Sequence, residues 1–150
     1  LGVDSLPGSL CRSLVDRCGD RARVELGIED PLVVSGAMIT RIVASPRRGD
    51  AFEAQRDYPY WNPHADSLNN ASYQVSCLLY LNTQGAGFAG GSFAFLDEDA
   101  DRVVEPRAGR FLAFTSGTDN FHQVRKLEGG ARFALAVWFR SRWATPIATC

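Results

Sequence analysis

The sequence lacks the features that mark membrane-spanning and nucleic-acid-binding proteins. Its 150 residues contain no apolar run near the roughly 20 residues that a membrane-spanning helix needs, and no signal peptide. The formal net charge is only −1, with acidic and basic residues mixed along the chain. Nucleic-acid binders instead concentrate positive charge, which displaces counterions. We therefore expect no membrane span within this chain and no nucleic-acid partner. Because the chain begins with Leu1 rather than Met, we also expect it to be a fragment of a longer protein.

Cysteine is scarce as well. Four cysteines are too few to define a disulfide scaffold in a domain of this size. Cys11 and Cys18 lie in a stretch predicted as helix, where seven residues rise by roughly 10 Å. A disulfide needs Cα atoms within about 7 Å, so these two should not pair with each other. Asn70-Ala71-Ser72 is a glycosylation sequon, which matters only in the secretory pathway. The residues alone leave the compartment open.

The composition is otherwise that of an ordinary globular protein, with 45% hydrophobic and 22% charged residues and no repeat or linker. We predict one domain over residues 1–150, with a helix at about 7–26 and a β-barrel at about 32–140. Pro7 suits the first turn of the helix and Gly27 the position after its end. Apolar residues at three-or-four spacing define one helix face: Cys11, Leu14, Val15, Cys18, Ala22 and Leu26.

After Pro31 the pattern favours short strands separated by Gly, Asn, Asp or Pro. We predict strands at residues 32–34, 38–44, 73–81, 92–96, 102–105, 110–115 and 132–140, and a long loop at 45–63. Strands of this length and spacing indicate a sandwich or barrel of antiparallel sheets, with the helix packed at one end.

The chain has only two histidines, His64 and His122, and Asp66 follows the first by two positions. Residues two apart in an extended segment point to the same side, so His64 and Asp66 can bind one ion. His122 can supply a third ligand if the sheets fold over each other. Two histidines and one carboxylate form the facial triad of non-haem Fe(II) oxygenases, which leaves coordination positions open for a cosubstrate and dioxygen. By itself this spacing is a weak signal, since a lone histidine is more often structural.

Arg132 adds to the signal because it begins an apolar strand, where a guanidinium is costly to bury without an anion. Its planar fork matches a carboxylate. The alternative is a salt bridge to an internal Asp or Glu.

Two other patterns carry no site. Gly85-Ala86-Gly87-Phe88-Ala89-Gly90 matches the dinucleotide-binding fingerprint, but a strand-like run follows it instead of the helix that the mechanism needs. We interpret it as a hairpin loop. The acidic residues at 97–101 do not fit the spacing of an EF-hand and are interpreted as a solvated turn.

Six short motifs, taken in their order along the chain, resemble those of the prolyl 4-hydroxylase-type 2-oxoglutarate oxygenases. The likeness runs from about Gly27 to Phe139. Within the superfamily, Tyr80-Leu81-Asn82-Thr83-Gln84 and Phe114-Thr115-Ser116-Gly117 look most like the 2-oxoglutarate and iron-dependent oxygenase domain-containing protein 3 group. The motifs that carry the resemblance to the prolyl 4-hydroxylase type are His64-Ala65-Asp66, Tyr80-Leu81-Asn82, Gly90-Gly91-Ser92-Phe93, Gly109-Arg110, His122-Gln123-Val124 and Arg132-Phe133-Ala134.

The resemblance implies a double-stranded β-helix, a jelly-roll barrel of the cupin type. It implies Fe(II) bound by His64, Asp66 and His122, with Arg132 and the Tyr80 hydroxyl binding the distal carboxylate of 2-oxoglutarate. Tyr80 has a second interpretation, as an ordinary aromatic strand residue. The implied enzyme is an oxidoreductase, a dioxygenase that uses O2, with L-ascorbic acid binding expected, and it forms succinate and CO2.

The implied substrate is a protein or peptide side chain, as in a prolyl 4-hydroxylase. Collagen-type members usually have Lys where this chain has Arg132, which makes collagen a less secure choice. Tyr58, Tyr60 and Trp61 precede the first metal ligand and are candidates to line the substrate entrance, or else pack over the barrel rim. Arg47, Arg48 and Arg56 either contact substrate or lie in a solvated loop. The resemblance further suggests the secretory pathway or endoplasmic reticulum, with a membrane anchor.

Two rival functions stay open at this point. One is a catalytically inactive β-barrel that binds a metal, ligand or protein partner and retains the triad as a remnant. The other is an oxygenase of a small molecule, which the sequence does not separate from a protein hydroxylase because substrate choice depends on loops.

Overall fold

The first element in the computed structural model, which describes residues 8–44 and 62–143, is a helix. Helix α1 spans Gly8–Leu26 and buries one face, on which Cys11, Val15, Cys18, Gly19 and Ala22 lie. Gly27 then takes a φ of 63°, a left-handed conformation that glycine adopts without a steric penalty. The amide of Ile28 donates to the carbonyl of Arg23 at 2.9 Å, the bond of a Schellman cap.

Eight strands and two short helical turns follow in the described residues. The strands are β1 (Leu32–Val43), β2 (Val75–Tyr80), β3 (Phe88–Gly90), β4 (Phe93–Phe95), β5 (Arg102–Val104), β6 (Phe111–Thr115), β7 (His122–Val124) and β8 (Leu127–Ser141). Helix α2 (Asp66–Asn69) precedes β2, and a 3-10 turn (Thr118–Asn120) precedes β7.

The strands form two antiparallel sheets. The larger has the order β1-β8-β2-β6, with β3 pairing on β8, and the smaller has the order β5-β4-β7. A cluster of buried residues from both sheets lies between them: Tyr80, Phe93, Phe95, Phe114, Val124 and Ala134. The sheets therefore pack face to face, which confirms the prediction of a mainly β double-stranded β-helix with an N-terminal helix.

The alternation of side chains along β2 and β8 separates two environments. Odd-numbered residues such as Cys77, Leu135 and Phe139 pack against α1. At Gly19 an added Cβ would lie 3.0 Å from the ring of Phe139, so the helix approaches the sheet closely. Even-numbered residues of the same strands point into the space between the sheets. The outer face of the larger sheet thus packs against the helix, and its inner face, toward the smaller sheet, is available for a site.

Several predicted boundaries were wrong. The predicted break near Gly36 is a register shift within one continuous strand, β1. Strands β3 and β7 were missed, and β8 begins at Leu127 rather than at Arg132. The glycine-rich stretch does form a tight turn, in which the amide of Gly85 donates to the carbonyl of Phe88 at 2.8 Å. It leads into β3 and β4, and the helix required for dinucleotide binding does not follow.

Two further expectations concern the described residues. Cys11, Cys18 and Cys77 are free thiols, in agreement with the spacing argument for the first two. Within residues 8–44 and 62–143, no helix combines the length and hydropathy that crossing a membrane requires. Most of the predicted 45–63 loop lies outside the described residues, including Arg47, Arg48, Arg56, Tyr58, Tyr60 and Trp61.

Candidate active site

His64 and His122 are brought together by their own backbones. Each donates its amide to the carbonyl of the other at 2.9 Å, as an isolated antiparallel bridge. This hydrogen-bonded pairing places the two imidazoles side by side, with ring centroids 4.4 Å apart. The predicted meeting of a distant histidine with the first one is therefore a direct backbone contact.

Asp66 completes the cluster. Ala65 is extended, with φ −114° and ψ 137°, so Asp66 returns to the side on which His64 lies. Its Oδ1 is 3.6 Å from His64 Nε2 and 3.9 Å from His122 Nε2. One ligand atom from each of the three residues lies within 4.8 Å of the others. That spacing leaves room for one ion among two imidazole nitrogens and a carboxylate oxygen.

The tautomers of both histidines suit a metal. Nδ1 of His64 is 2.8 Å from the carbonyl of Asn62, and Nδ1 of His122 is 2.8 Å from the carbonyl of Asn120. Because a carbonyl only accepts, each Nδ1 must carry the proton and donate it. In the neutral form of each ring, Nε2 then carries the lone pair and faces the cluster, the arrangement found in metal-bound histidines.

Burial lowers the pKa of both histidines, but the net shift differs between them. At His64, burial lowers the pKa, but hydrogen bonding with Asp66 and the Asn62 carbonyl outweighs it and raises the pKa above the ordinary value. At His122, burial dominates and the pKa is lowered, although Asn120 and Asp66 oppose the shift.

The burial of His122 is provided by aromatic rings. Phe93 stacks on its imidazole with centroids 4.9 Å apart, and Phe114 meets it edge-on at 5.1 Å. Phe95 lies at 6.4 Å. These rings shield the ligand from water and hold it in the neutral form that binds a metal.

Asp66 is only 6% exposed, yet it stays ionised. Burial raises its pKa, but the hydrogen-bonding groups of His64, Ser76 and Trp138 outweigh the burial, so the pKa is lowered overall. Its Oδ2 accepts from the Ser76 hydroxyl at 2.6 Å. Two imidazoles and one ionised carboxylate therefore face one another, and this is the donor set of the facial triad.

A cavity extends from the triad between the sheets to Arg132, with walls that include Thr40, Ile42, Leu78 and Val124. Arg132 is 2% exposed. Its Nε and Nη2 atoms have no hydrogen-bond partner, and within the described residues no carboxylate pairs with it. The alternative of an internal salt bridge therefore does not hold for these parts of the chain.

Tyr80 lies beside Arg132 and is fully buried. The guanidinium carbon is 5.2 Å from the centroid of the Tyr80 ring, and the hydroxyl is also unpartnered. Burial raises the pKa of Tyr80 and lowers that of Arg132, while the contact between them opposes both shifts. Buried polar groups of this kind are nearly always satisfied, so this end of the cavity fits an anion with oxygen acceptors.

The structure thus places the predicted residues in two groups within one cavity: His64, Asp66 and His122 at one end, and Arg132 with Tyr80 at the other. The predicted substrate-entrance residues Tyr58, Tyr60 and Trp61 lie outside the described residues. Sequence reasoning missed Ser76 and Trp138, which contact the Asp66 carboxylate. A polar residue at an inward position of the apolar β2 was the available signal for Ser76.

Comparisons with known proteins agree with this geometry. The family model of the 2OG-Fe(II) oxygenase superfamily matches residues 48–140. The 2-oxoglutarate and iron-dependent oxygenase domain-containing protein 3 of Xenopus tropicalis is 46% identical over 80 residues, which are 53% of this chain and 25% of that protein. Human prolyl 3-hydroxylase 1 is 45% identical over 67 residues, 43% of this chain and 9% of that protein.

A similar solved structure is a prolyl hydroxylase from Trichoplax adhaerens in complex with a hypoxia inducible factor oxygen degradation domain peptide fragment. It has a TM-score of 0.59 and 22% identity, covering 95% of this chain and 58% of that chain. At this identity the likeness supports the fold alone. The chain spans about a quarter of the Xenopus relative and a smaller part of the human one. With the family model matched over more than half of its length, this chain belongs to the 2OG-Fe(II) oxygenase superfamily.

Proposed function

We propose that this chain is the catalytic domain of an Fe(II)- and 2-oxoglutarate-dependent dioxygenase that hydroxylates a protein or peptide side chain, with proline as the first candidate. The observation that carries the proposal is one cavity with two complementary ends. A His-Asp-His cluster lies at one end, and at the other lie the buried phenol of Tyr80 and the buried guanidinium of Arg132, whose Nε and Nη2 atoms have no partner.

The residues fit both groups. His64, Asp66 and His122 would hold Fe(II) and leave positions open for other ligands. Arg132 would bind the distal carboxylate of 2-oxoglutarate through its planar fork, with the Tyr80 hydroxyl donating a further bond. When bound, the iron and keto acid supply the oxidation: O2 converts 2-oxoglutarate to succinate and CO2, and one oxygen atom becomes the hydroxyl group on a substrate carbon. Ascorbate is the reductant that we expect to sustain turnover.

The protein's own contribution is orientation and the exclusion of water. Arg132 and Tyr80 fix the far end of the keto acid, so its near end is directed at the triad. The apolar walls and the aromatic rings around His122 keep the reacting end dry, which limits side reactions.

The proteins similar to this chain support a peptide substrate. Human prolyl 3-hydroxylase 1 is among its relatives, and the Trichoplax prolyl hydroxylase, which is similar in fold, is in complex with a peptide fragment. Arg132 stands where collagen-type enzymes usually have Lys, so collagen is a less favoured candidate for the substrate.

Succinate formation tests the proposal. Purified protein with Fe(II), ascorbate and 2-oxoglutarate in air should form succinate above background, and Asp66→Ala, His64→Ala and Arg132→Ala should each lose most of it while remaining folded. Asp97→Ala is a matched control, because Asp97 is an exposed carboxylate paired with Arg102. If succinate is absent and neither Mn(II) nor 2-oxoglutarate binds, the catalytically inactive barrel replaces the enzyme.

We also propose that the parent protein enters the secretory pathway, and Asn70 offers a test. Asn70 is exposed, and its Oδ1 accepts from the Ser72 amide at 2.9 Å in a turn that presents the sequon. The full-length protein from secretory cells should lose mass on treatment with an N-glycosidase, whereas Asn70→Gln should not. An unglycosylated wild-type Asn70 would count against this compartment.

A further inference from the structure

Strand β2 is in contact with both ends of the cavity. Its register places Ser76 opposite Trp138, Leu78 opposite Ala136 and Tyr80 opposite Ala134 on β8. Because alternate residues share a face, Ser76 reaches the metal end and Tyr80 the anion end of one inward surface. The strand and the residues just after it are therefore placed to act on both ends.

We propose that β2 and its C-terminal extension hold both ends of the site in position before any ligand binds. Ser76, backed by Ser116, fixes the Asp66 carboxylate, and Asn82 fixes the backbone that carries Arg132. The inference rests on the proposed function and assigns these three as positioning residues.

At the metal end, Ser76 makes the two oxygens of the Asp66 carboxylate inequivalent. Its hydroxyl donates to Oδ2 at 2.6 Å, while Oδ1 is the oxygen that approaches both imidazoles. Both residues are buried, with Ser76 only 2% exposed, so water does not compete for this bond. The carboxyl torsion of Asp is soft, and this hydrogen bond fixes it. One oxygen is thereby held for the metal and the other is held away from it.

Ser116 completes this arrangement. Its hydroxyl is 2.7 Å from that of Ser76. Since Ser76 has one proton and donates it to Asp66, Ser116 must be the donor to Ser76. The carbonyl of Ser116 also accepts from the amide of Ser67, the neighbour of Asp66. Ser116 therefore contacts the Asp66 segment both through Ser76 and through the backbone.

At the other end, the side chain of Asn82 continues the sheet where β2 stops. The pairing of β2 with β8 ends at Tyr80, and the amide of Leu81 then donates to the carbonyl of Phe133 at 3.0 Å. Next, Asn82 Nδ2 donates to the carbonyl of Ala131 at 2.7 Å, and Asn82 Oδ1 accepts from the amide of Phe133 at 2.9 Å. These two backbone groups flank Arg132 on both sides.

The position of Arg132 needs such support. Its Nε and Nη2 atoms have no partner, so the tip of the side chain is not held by hydrogen bonds there. The strand just before it contains Gly129 and Gly130, the second with a φ of 74°. Glycines give a backbone more freedom. The amide of Asn82 imitates a peptide group and fixes the strand directly after these glycines.

A crossed binding experiment tests the inference. Mn(II) affinity is measured without cosubstrate, and 2-oxoglutarate affinity is measured at saturating Mn(II), for the wild type, Ser76→Ala and Asn82→Ala. Loss of a residue that orients a metal ligand weakens metal binding by about 10–100-fold, so Ser76→Ala should lose at least about tenfold in Mn(II) affinity. Asn82→Ala should bind Mn(II) as the wild type does and lose about tenfold in 2-oxoglutarate affinity, the equivalent of roughly one hydrogen bond to a backbone group.

Conservative variants and hydrogen exchange separate positioning from folding. Ser76→Thr keeps the hydroxyl and should restore Mn(II) affinity. Asn82→Asp keeps the acceptor for Phe133 and loses the donor to Ala131, so it should give an intermediate loss. In the protein without ligands, the Phe133 amide should exchange faster in Asn82→Ala than in the wild type or Ser76→Ala.

The outcomes are distinct. If the wild type binds both ligands but either alanine variant keeps its full affinity, the positioning role of that residue is overturned and the proposed function stands. If both variants lose both ligands equally, the residues are merely structural and the inference is wrong. If the wild type binds neither ligand, the proposed function fails and the inference fails with it.

Discussion

In the proposed function, Arg132 is the main residue that recognises the distal carboxylate of the cosubstrate. It is almost fully buried and holds its charge without a carboxylate partner among the described residues. In a folded protein such a charge is costly, because the interior does not replace the hydration that it loses. An anion that enters the cavity therefore binds in a favourable geometry, and it also offsets the desolvation cost of the buried Arg132 charge.

Arg132→Lys should show that the fork of the guanidinium matters beyond its charge. Lysine keeps the positive charge but cannot form two parallel bonds with one carboxylate. We expect the KM for 2-oxoglutarate to rise by about tenfold with a smaller change in kcat, since roughly one charged hydrogen bond is lost. Steady-state succinate assays measure both constants. Arg125→Lys, in an exposed pair with Asp101, is the control and should change neither. An unchanged KM in Arg132→Lys would mean that charge alone suffices.

The pH dependence of metal binding follows from His64. Its pKa is raised above 6.5, so near neutral pH a proton competes with the metal for Nε2. His122 has a lowered pKa and is already neutral there. Mn(II) affinity should therefore rise with pH through a range above 6.5 and level off once His64 has lost its proton. Calorimetric titrations between pH 6 and 9 measure this, and a flat profile over that range would contradict it.

At the scale of the element, the turn between β3 and β4 shapes the anion end of the site. Gly91 there has a φ of 72°, and an added Cβ would overlap the Leu127 side chain and lie 3.3 Å from Cδ of Arg132. Only glycine lets the turn pass this close to the stem of the arginine. A substitution in the turn should therefore change 2-oxoglutarate binding as well as the free energy of unfolding.

Gly91→Ala should lower the free energy of unfolding by about 1–3 kcal/mol, since overpacking adds to the unfavourable φ. It should also weaken 2-oxoglutarate binding, because Arg132 is displaced. Gly109→Ala is a matched control: Gly109 has a φ of 82°, but nothing lies within 4 Å of an added Cβ. Chemical denaturation and binding titrations should show that the control loses some stability and keeps its affinity. Equal affinities in the two variants would remove Gly91 from this role.

The elements also show how far the sequence could be read. The period of α1 and the longer strands was predictable, because each spans several repeats of its pattern. Strands β3 and β7 have three residues each and are defined by their pairing with β8 and β4, which the sequence does not show. Likewise, residue types and their order along the chain were enough to select His64, Asp66, His122 and Arg132, which the structure brings into one cavity. The contacts of Ser76 and Asn82 depend on register, which the sequence does not display.

At the scale of the whole molecule, the cavity lies between the two sheets, so its ligands bridge parts of the chain that are distant in sequence. A ligand that binds only the folded state raises its stability. 2-Oxoglutarate would chelate the metal at one end and bind Arg132 at the other, whereas an acid that lacks the 2-oxo group or the distal carboxylate loses one of these contacts. Thermal stability can therefore report which end each functional group recognises.

In the presence of Mn(II), 2-oxoglutarate should raise Tm more than either glutarate or pyruvate at equal concentration. Glutarate keeps the distal carboxylate for Arg132 but lacks the 2-oxo group that chelates a metal, and pyruvate lacks the distal carboxylate. Differential scanning calorimetry of the wild type and Arg132→Ala makes the comparison. The variant should lose the advantage of 2-oxoglutarate over pyruvate. An equal advantage in both proteins would mean that Arg132 does not bind the distal carboxylate.

The His64–His122 bridge also ties metal binding to the order of folding. The bridge joins two segments that are far apart in sequence, and contacts of that kind require the closure of a long loop before they contribute. Local structure such as α1 carries no such requirement. The ability to bind a metal should therefore appear late in refolding, when the barrel closes. A bound ion should slow the separation of the His64 and His122 segments, and it should have little effect on the fraying of α1.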